Sequence, residues 1–438
     1  MPNRLDRREF LRRTTAAGVL SALPAVWPGG AAAKPSRSPN EKLNIAKIAC
    51  GGMGAEDLNQ ISSESIVALC DVDETIMDKA AQQWPKARKY VDFRRMLDRE
   101  EKNIDAVVVS TPDHTHAVAS LHALRMDKHL YCQKPLARTV REVRAMTLAA
   151  RRHGVTTQMG TQAHYSPGHQ RLAELIQSGA IGPVREVHVW SDRPAGWWPQ
   201  GVEPPTESQP VPPNLHWDLW LGPAKSRPYN PAYMPFVWRG WWDFGTGALG
   251  DMGCHLMDPA YNSLKLRYPT SVEAEGAPRV KHSPPLWAVI RYEFPRRGDM
   301  PELSLTWYDG GRRPHRDLFP KGQNTKAGNG SLYIGDKGKL LIEEEEGNLV
   351  TFGQFEGPDP VRHRPPGHWK QWIESSKTGA PTGSNFDYAG PLAESVLLGN
   401  VALRTGRKLE WDGADMRATN CPEAEEFLEP HYRKGWSL

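Results

Sequence analysis

The feature that most constrains the fold is a regular alternation of short apolar runs with helical stretches between Lys42 and Thr161. The apolar runs are rich in β-branched residues, as in IDAVVVSTP at 104–112. The stretches between them, such as Val140–Gly154, have the apolar period of an amphipathic helix. Strands that alternate with helices at this spacing predict βαβ units, and therefore an α/β domain with a doubly wound parallel sheet.

The pattern changes after Thr161. Alternating strands such as VREVHVWSD, AVIRYEF and ELSLTWYDG are now divided by loops rich in proline and glycine. This pattern predicts an α+β domain with a large, mainly antiparallel sheet. At 438 residues the chain is long enough for two domains, which we expect at 42–161 and 162–438.

The first 33 residues have the order of a secretory signal. A basic start is followed by an apolar run from Ala16 to Trp27 and then by three alanines at 31–33. Residues 6–11, DRREFL, match the twin-arginine export pattern. We therefore expect a twin-arginine signal peptide at 1–33, a linker at 34–41 and a periplasmic mature protein. The alternative is a disordered basic tail on a cytoplasmic enzyme.

Charge and cysteine content exclude several classes of function. The chain has 55 Lys and Arg against 51 Asp and Glu, and five arginines fall in the first 13 residues. The remainder is near neutral, so no nucleic-acid partner is expected. Five cysteines without a CxxC pair predict neither a disulfide framework nor a metal site. No apolar run long enough to span a membrane follows Lys34, so no membrane span is expected in the mature form.

A glycine-rich turn, ACGGMG at 49–54, joins the first predicted strand to the first helix. Such a turn lets the backbone approach a pyrophosphate, which binds the N–H groups at the helix start. Ala49 replaces the first glycine of the GxGxxG pattern. Asp71, 17 residues after Gly54, stands where a carboxylate bonds the adenosine ribose and repels a 2′-phosphate. These residues predict NAD rather than NADP; a turn that serves only helix–strand packing is the alternative.

Four motifs in order, the glycine turn, STPDHTH (110–116), QKP (133–135) and DMGCH (251–255), resemble those of the glucose-fructose oxidoreductase / inositol dehydrogenase family, Gfo/Idh/MocA. The resemblance covers the whole chain after the signal. It implies a Rossmann domain, a second domain for substrate binding and oligomerisation, bound NAD, and a dimer or tetramer. In the family the lysine of an EKP motif reaches nicotinamide ribose and substrate, and an Asp-x-x-x-His pair completes the site. The implied cofactor-binding residues are Gly51, Gly52, Met53, Gly54, Asp71, Thr111, Pro112, His116, Gln133 and Lys134.

The implied catalytic residues are Lys134, Asp251 and His255, and their chemistry suits alcohol oxidation. A base must accept the hydroxyl proton as hydride leaves the same carbon, and an imidazole such as that of His255 is suited to this. Asp251 lies one helical turn earlier and can share the pocket. Lys134, as ammonium, stabilises negative charge on the oxygen. Gln133 replaces the family's glutamate, which removes a negative charge beside Lys134.

Two reactions are open: NAD-dependent oxidation of a sugar or polyol with tightly bound cofactor, and glycoside cleavage through transient oxidation, typically at C3, elimination and hydride return. Export disfavours an enzyme that releases NADH in every turnover. A non-catalytic sugar-binding relative is disfavoured because Lys134 and His255 are present.

The tryptophans of 197–242 are either a sugar-stacking wall or core filling. A metal bound by His164, His169 and His255 is a weaker alternative because their spacing does not support it. The substrate-contact candidates are Gln162, His164, Tyr165, His169, Arg239, Trp242 and Asp243.

Overall fold

The computed structural model describes residues 41–320, 326–344, 347–353, 355–360 and 366–438. The predicted signal peptide, and the predicted linker except for residue 41, lie outside the described residues. The fold below is that of the described ranges.

The first domain contains six strands in the described part of the chain, all paired in parallel, in the order β3-β2-β1-β4-β5-β6. This order is that of the doubly wound dinucleotide-binding sheet, and its switch point lies between β1 and β4. The prediction of this fold is confirmed. The elements are β1 (Asn44–Ile48), α1 (Met53–Gln60), β2 (Ser65–Cys70), α2 (Glu74–Gln83), β3 (Arg88–Tyr90), α3 (Phe93–Glu100), β4 (Ala106–Val109), α4 (Asp113–Arg125), β5 (His129–Cys132), α5 (Val140–His153) and β6 (Thr157–Met159).

Local sequence accounts for most of these elements. All four residues of β4 are buried, as expected for a central strand covered on both faces. Helix α5 begins with a capping box between Thr139 and Glu142 and ends at Gly154, whose φ of 60° suits glycine. The sequence does not predict β3, because its three residues, Arg-Lys-Tyr, form no apolar run.

The second domain contains a nine-stranded sheet over the described ranges, in the order β13-β12-β11-β7-β10-β9-β8-β14-β15. Only β7 and β10 pair in parallel, so the prediction of a mainly antiparallel sheet is confirmed. The strands are β7 (Val184–Trp190), β8 (Ser271–Gly276), β9 (Ala288–Phe294), β10 (Leu303–Tyr308), β11 (Gly330–Gly335), β12 (Lys339–Glu343), β13 (Asn348–Phe352), β14 (Leu409–Asp412) and β15 (Arg417–Ala418). The helices are α6 (Pro167–Gln177), α7 (Trp217–Leu221), α8 (Gly247–Leu256), α9 (Asp258–Leu264), α10 (His368–Thr378), α11 (Phe386–Thr405) and α12 (Glu425–Leu428).

Late segments of the chain return to the first domain. Trp372 and Ile373 of α10 belong to the same buried cluster as Leu43 and Tyr131, and the rings of Tyr131 and Trp372 are 5.7 Å apart. The boundary predicted at residue 161 therefore marks the end of the parallel sheet, while α10 completes the core of the first domain.

The five cysteines are buried and unbridged. None of the helices that the structure describes is long and apolar enough to cross a membrane. Tight packing of small and apolar side chains, rather than covalent links, therefore holds this core together.

Candidate functional site

The glycine turn between β1 and α1 has the shape that a dinucleotide requires. A Cβ at Gly54 would lie 2.2 Å from the Ala49 carbonyl oxygen, so only glycine fits this close approach of helix and strand. Gly52 has φ 54°, and a Cβ there would meet no protein atom within 4 Å, which leaves the backbone accessible to a pyrophosphate. No side chain caps the start of α1. Ala49 has φ 65°, a left-handed conformation that explains why the pattern usually has glycine there.

Asp71 holds the glycine turn to the end of β2. Its carboxylate accepts hydrogen bonds from the backbone N–H groups of Cys50 (2.7 Å) and Asp73 (3.0 Å). Burial raises the pKa of Asp71, and these two hydrogen bonds act against that effect. The carboxylate retains acceptor capacity for ribose hydroxyls, since each oxygen has two lone pairs. The turn and Asp71 together fit an NAD molecule.

Gln133 contacts a buried carboxylate that the sequence analysis did not identify. Its Nε2 donates to both oxygens of Asp57 at 3.0 Å, and Asp57 has no solvent exposure. Asp57 also accepts from Ser110 Oγ (2.6 Å), which in turn accepts from Lys47 Nζ (2.6 Å). Burial lowers the pKa of Lys47, and the charge of Asp57 opposes this shift. Asp57 thus places a carboxylate beside the QKP motif, and the side-chain amide of Gln133 donates hydrogen bonds to it.

His116 joins two segments of the candidate site. Its Nδ1 lies 2.8 Å from the Pro135 carbonyl oxygen and its Nε2 lies 2.8 Å from that of Thr111. Both partners are acceptors, so both ring nitrogens must donate, which requires the imidazolium form. Burial alone would lower the pKa of His116, but nearby Cys132 and the two carbonyls outweigh it and the pKa is raised. The buried ring thus holds Thr111 against the QKP turn, and direct contact of His116 with the cofactor stays a prediction.

Lys134 and Asp251 meet although they lie 117 positions apart. The ammonium donates to Asp251 Oδ1 (2.9 Å) and to the Asp251 carbonyl oxygen. Arg239 Nε donates to the same carboxylate at 2.8 Å, and Arg193 Nε lies 3.7 Å from its other oxygen. Burial alone would raise the pKa of Asp251, but the charges of Lys134 and Arg239 hold it well below its usual range. His255 follows one turn later on α8 and is 6% exposed.

Asp113, the first residue of α4, is a further acid beside this centre. It is buried and accepts a hydrogen bond from Thr246 Oγ1 at 2.6 Å. Burial raises the pKa of Asp113 to about 7, against the opposing charges of Arg239 and Lys134. The STPDHTH motif contained this residue, but nothing in the sequence indicated that it would be buried.

Two predicted substrate contacts, His164 and His169, are buried. His164 is 4% exposed, and its Nδ1 lies 2.8 Å from Asp258 Oδ2. The other oxygen of that carboxylate, Oδ1, accepts a hydrogen bond from the Tyr388 hydroxyl at 2.7 Å. His169 is 2% exposed on α6. Both side chains are enclosed by protein in this structure, and their contact with substrate stays a prediction.

Of the other five candidates, Arg239 contacts Asp251, and the remaining four fall in different places. Tyr165 donates to Gln371, whereas Gln162 reaches Gln133. Trp242 and Asp243 line a pocket whose lining contains neither Lys134 nor Asp251. The structure therefore does not bring Trp242 and Asp243 into the catalytic centre.

Most tryptophans of 197–242 fill the core. Six of the seven are buried, and only Trp197 is exposed, at 47%, beside Phe236 at 42%. The rings of Trp197 and Phe236 lie 6.5 Å apart, and we call this pair the aromatic shelf. Arg193 lies 3.6 Å over Trp197 and Arg239 lies 4.3 Å over Phe236. The two arginines that contact Asp251 thus connect it to the shelf. Within the described ranges, no group of three or more His, Cys, Asp or Glu is arranged to hold a metal ion.

Comparison with known proteins identifies relatives of this chain. An inositol 2-dehydrogenase from Saccharopolyspora erythraea is 32% identical over 151 residues, which are 33% of this chain and 44% of that protein. A glycosyl hydrolase family 109 protein from Shewanella pealeana is 26% identical over 205 residues, 41% of this chain and 44% of that protein. The chain thus spans less than half the length of these curated relatives.

A solved structure shares the fold across both domains. The WlbA dehydrogenase from Bordetella pertussis, crystallised with NADH and UDP-GlcNAcA, superposes with a TM-score of 0.60 at 17% identity, over 85% of this chain and 99% of that one. The family model for the NAD-binding Rossmann fold matches residues 43–161, and the model for the C-terminal alpha/beta domain matches residues 169–300. Both models describe one family, and the two matched regions contain the glycine turn, QKP and Asp251–His255. This chain belongs to the Gfo/Idh/MocA oxidoreductase family.

Proposed function

We propose that this protein is an NAD-dependent oxidoreductase that takes hydride from a secondary alcohol of a sugar or polyol and holds its cofactor tightly. The contact between Lys134 and Asp251 carries the proposal. It joins the end of a strand in the dinucleotide-binding sheet to a helix of the second domain, where cofactor and substrate have to meet.

The residues of this centre have separate tasks. Lys134 has three N–H donors, of which two go to oxygens of Asp251, and the third serves the substrate hydroxyl. Asp251 stays ionised and balances the charge of Lys134. His255 accepts the hydroxyl proton. The nicotinamide of bound NAD supplies the hydride acceptor.

The aromatic shelf is the proposed substrate platform. The flat rings of Trp197 and Phe236 are exposed, and they suit the apolar face of a pyranose. Arg193 and Arg239 lie between these rings and Asp251, so a sugar on the shelf has charged donors at its edge.

Glycoside cleavage by transient oxidation is the second candidate. The similarity to a glycosyl hydrolase family 109 protein favours it. Such a cycle uses the same alcohol oxidation and returns the hydride, so it needs no external supply of dinucleotide. This suits the periplasmic location and twin-arginine export that we propose from residues 1–33. We also propose a dimer or tetramer, which light scattering would test.

Cofactor content and product analysis separate the two reactions. The mature protein is denatured and assayed for released NAD; the native protein is incubated with free sugars and with p-nitrophenyl glycosides. Stoichiometric NADH from a free sugar supports net oxidation, whereas p-nitrophenol without net NADH supports glycoside cleavage.

A lysine variant tests the site itself. Lys134→Ala is expected to lower kcat/KM by at least about 100-fold in either reaction, because it removes a donor to the charged oxygen. Lys86→Ala is the control, since Lys86 is exposed. An unchanged kcat/KM in Lys134→Ala would refute the assignment.

A further inference from the structure

The pocket that Trp242 and Asp243 line, which we call the basic pocket, lies between the loop after QKP and the second domain. Its volume is about 560 Å³. Six of its lining residues are cations, against three carboxylates, which leaves an excess of three positive charges. The cations are Arg138, Lys225, Arg227, Arg279, Lys281 and Arg404.

The carboxylates of the basic pocket do not neutralise it. Asp243 pairs with Arg227, and Glu429 pairs with Arg141, which is not part of the lining, at 2.6 Å. Glu426 acts on Arg404 without forming an ion pair within 4 Å in the described part of the chain, so the three carboxylates leave an excess of positive charge in the lining.

Two partly buried arginines of this pocket, Arg138 and Arg404, have no ion pair among the residues that the structure describes. Within the same ranges, the only hydrogen bond of the Arg138 guanidinium goes to the Trp242 carbonyl oxygen (3.1 Å), and its Nε is buried without a partner. Arg404 lies over the rings of Trp242 (5.3 Å) and Phe427 (4.0 Å). Burial, together with the charge of Arg138, lowers the pKa of Arg404 to about 10, although the charges of Asp243 and Glu426 oppose this shift.

Arg144 shows how this protein treats a comparable arginine elsewhere. Its side chain is 13% exposed, and its guanidinium binds both oxygens of Glu394, at 2.8 and 2.7 Å. A sheltered guanidinium without such a partner is costly, because it loses hydration and gains no counter-charge. Its planar fork matches the oxygens of a phosphate or a carboxylate.

We propose that the basic pocket binds a small anion with two or more negative charges, of the phosphate or carboxylate class, through Arg138 and Arg404. The lining contains neither the glycine turn nor Lys134, Asp251 or His255, so this site is separate from the catalytic centre. Arg138 belongs to the loop before α5 and Arg404 to the end of α11, so the anion bridges the two domains.

Calorimetric titration of the NAD-saturated protein tests the site, because bound NAD occupies the pyrophosphate position of the glycine turn. Inorganic phosphate, glucose 6-phosphate and citrate are titrated separately at constant ionic strength set with sodium chloride. At least one of them is expected to bind. Arg404→Gln and Arg138→Gln should each weaken that binding by about tenfold or more, since each removes a charged hydrogen-bond donor.

Arg152→Gln is the matched control, because Arg152 is exposed on α5 and its loss changes the net charge equally. Arg404→Lys keeps the charge and is used if Arg404→Gln does not fold. This lysine variant should bind the anion measurably but more weakly than the wild type. Tighter binding of glucose 6-phosphate than of phosphate identifies an organic ester as the ligand, and equal binding identifies the free anion. The proposal would be overturned if none of the three anions bound at 10 mM, which is about 10-fold above a dissociation constant of 1 mM. It would also be overturned if the glutamine variants bound the anion as tightly as the wild type.

Discussion

The ammonium of Lys134 lies 2.9 Å from Asp251 Oδ1, at the meeting point of the two domains. Arg239 shares the same carboxylate oxygen, so one buried anion balances more than one cation. The negative charge of Asp251 therefore fixes the position of the Lys134 side chain and affects the stability of the contact between the two domains.

Asp251→Asn should lower kcat/KM by about 100-fold or more, because Lys134 and Arg239 lose their counter-charge and Lys134 loses its fixed position. Asp251→Glu keeps the charge and should retain more activity. Steady-state kinetics with circular dichroism as a folding check measures this. Wild-type kinetics in Asp251→Asn would contradict the role given to the carboxylate.

Gln133→Glu should destabilise the protein at neutral pH by about 2 kcal/mol or more, because it places a second carboxylate against the buried Asp57. The loss should shrink at pH 5, where one of the two carboxyl groups takes up a proton. Adding Asp57→Asn to Gln133→Glu should recover part of the stability. Urea unfolding of the two single variants and the double variant gives the coupling energy, and additive effects would argue against direct contact.

His116 should stabilise the fold only while it is protonated. Its folded pKa is raised above the ordinary value of about 6.5, so its contribution is complete below that pH and is lost as pH rises through the folded pKa. The difference in unfolding free energy between wild type and His116→Gln should therefore be larger at pH 6 than at pH 9. A difference that does not change with pH would show that the ring is neutral in the fold.

Asp113→Asn tests an acid whose linkage has the same sign as that of His116, because its folded pKa is also raised. Its folded pKa of about 7 exceeds the unfolded value, so ionisation costs stability as pH rises from about 4 to 7. The asparagine variant should gain at least about 1 kcal/mol relative to wild type between pH 5 and pH 8. Denaturant unfolding at both pH values measures the change; equal relative stability at the two would contradict the raised pKa.

Trp197→Ala should raise KM for a sugar substrate by about 2- to 10-fold with little change in kcat, because stacking on the aromatic shelf contributes to binding. Phe236→Ala should act in the same direction. Leu148→Ala is the control, since Leu148 is similarly exposed, at 48%, on α5. An unchanged KM in both aromatic variants would remove the shelf from the substrate site.

Several elements of the fold could be read from local sequence. The helix at Val140–His153 follows from its apolar period, its capping box and its terminal glycine, which all act within a few residues. The strands β14 and β15 could not be read this way, because both are short and β14 joins the sheet by pairing with β8, which is distant in the chain.

The residues of the candidate site could be predicted from the sequence only where they lie in a recognisable motif. Lys134 and Asp251 were identified because each lies in a motif with recognisable neighbours. Asp57 and Asp113 were missed, since an acid in the first turns of a helix is usually exposed, and only tertiary packing buries these two. Trp242 and Asp243 were assigned to the substrate cleft because they precede Asp251 in the chain, but the turn before α8 directs them into the basic pocket.

By itself, the sequence determined the alternation of strands and helices, the glycine turn for a dinucleotide and the identity of the residues at QKP and DMGCH. These depend on local periodicity and on backbone conformation, which neighbouring residues control. The tertiary structure decided which polar groups meet: Lys134 with Asp251, Gln133 with Asp57, and Arg138 with Arg404 in the lining of one pocket. Electrostatic interactions depend on distance and burial in space, and neither is encoded by separation along the chain.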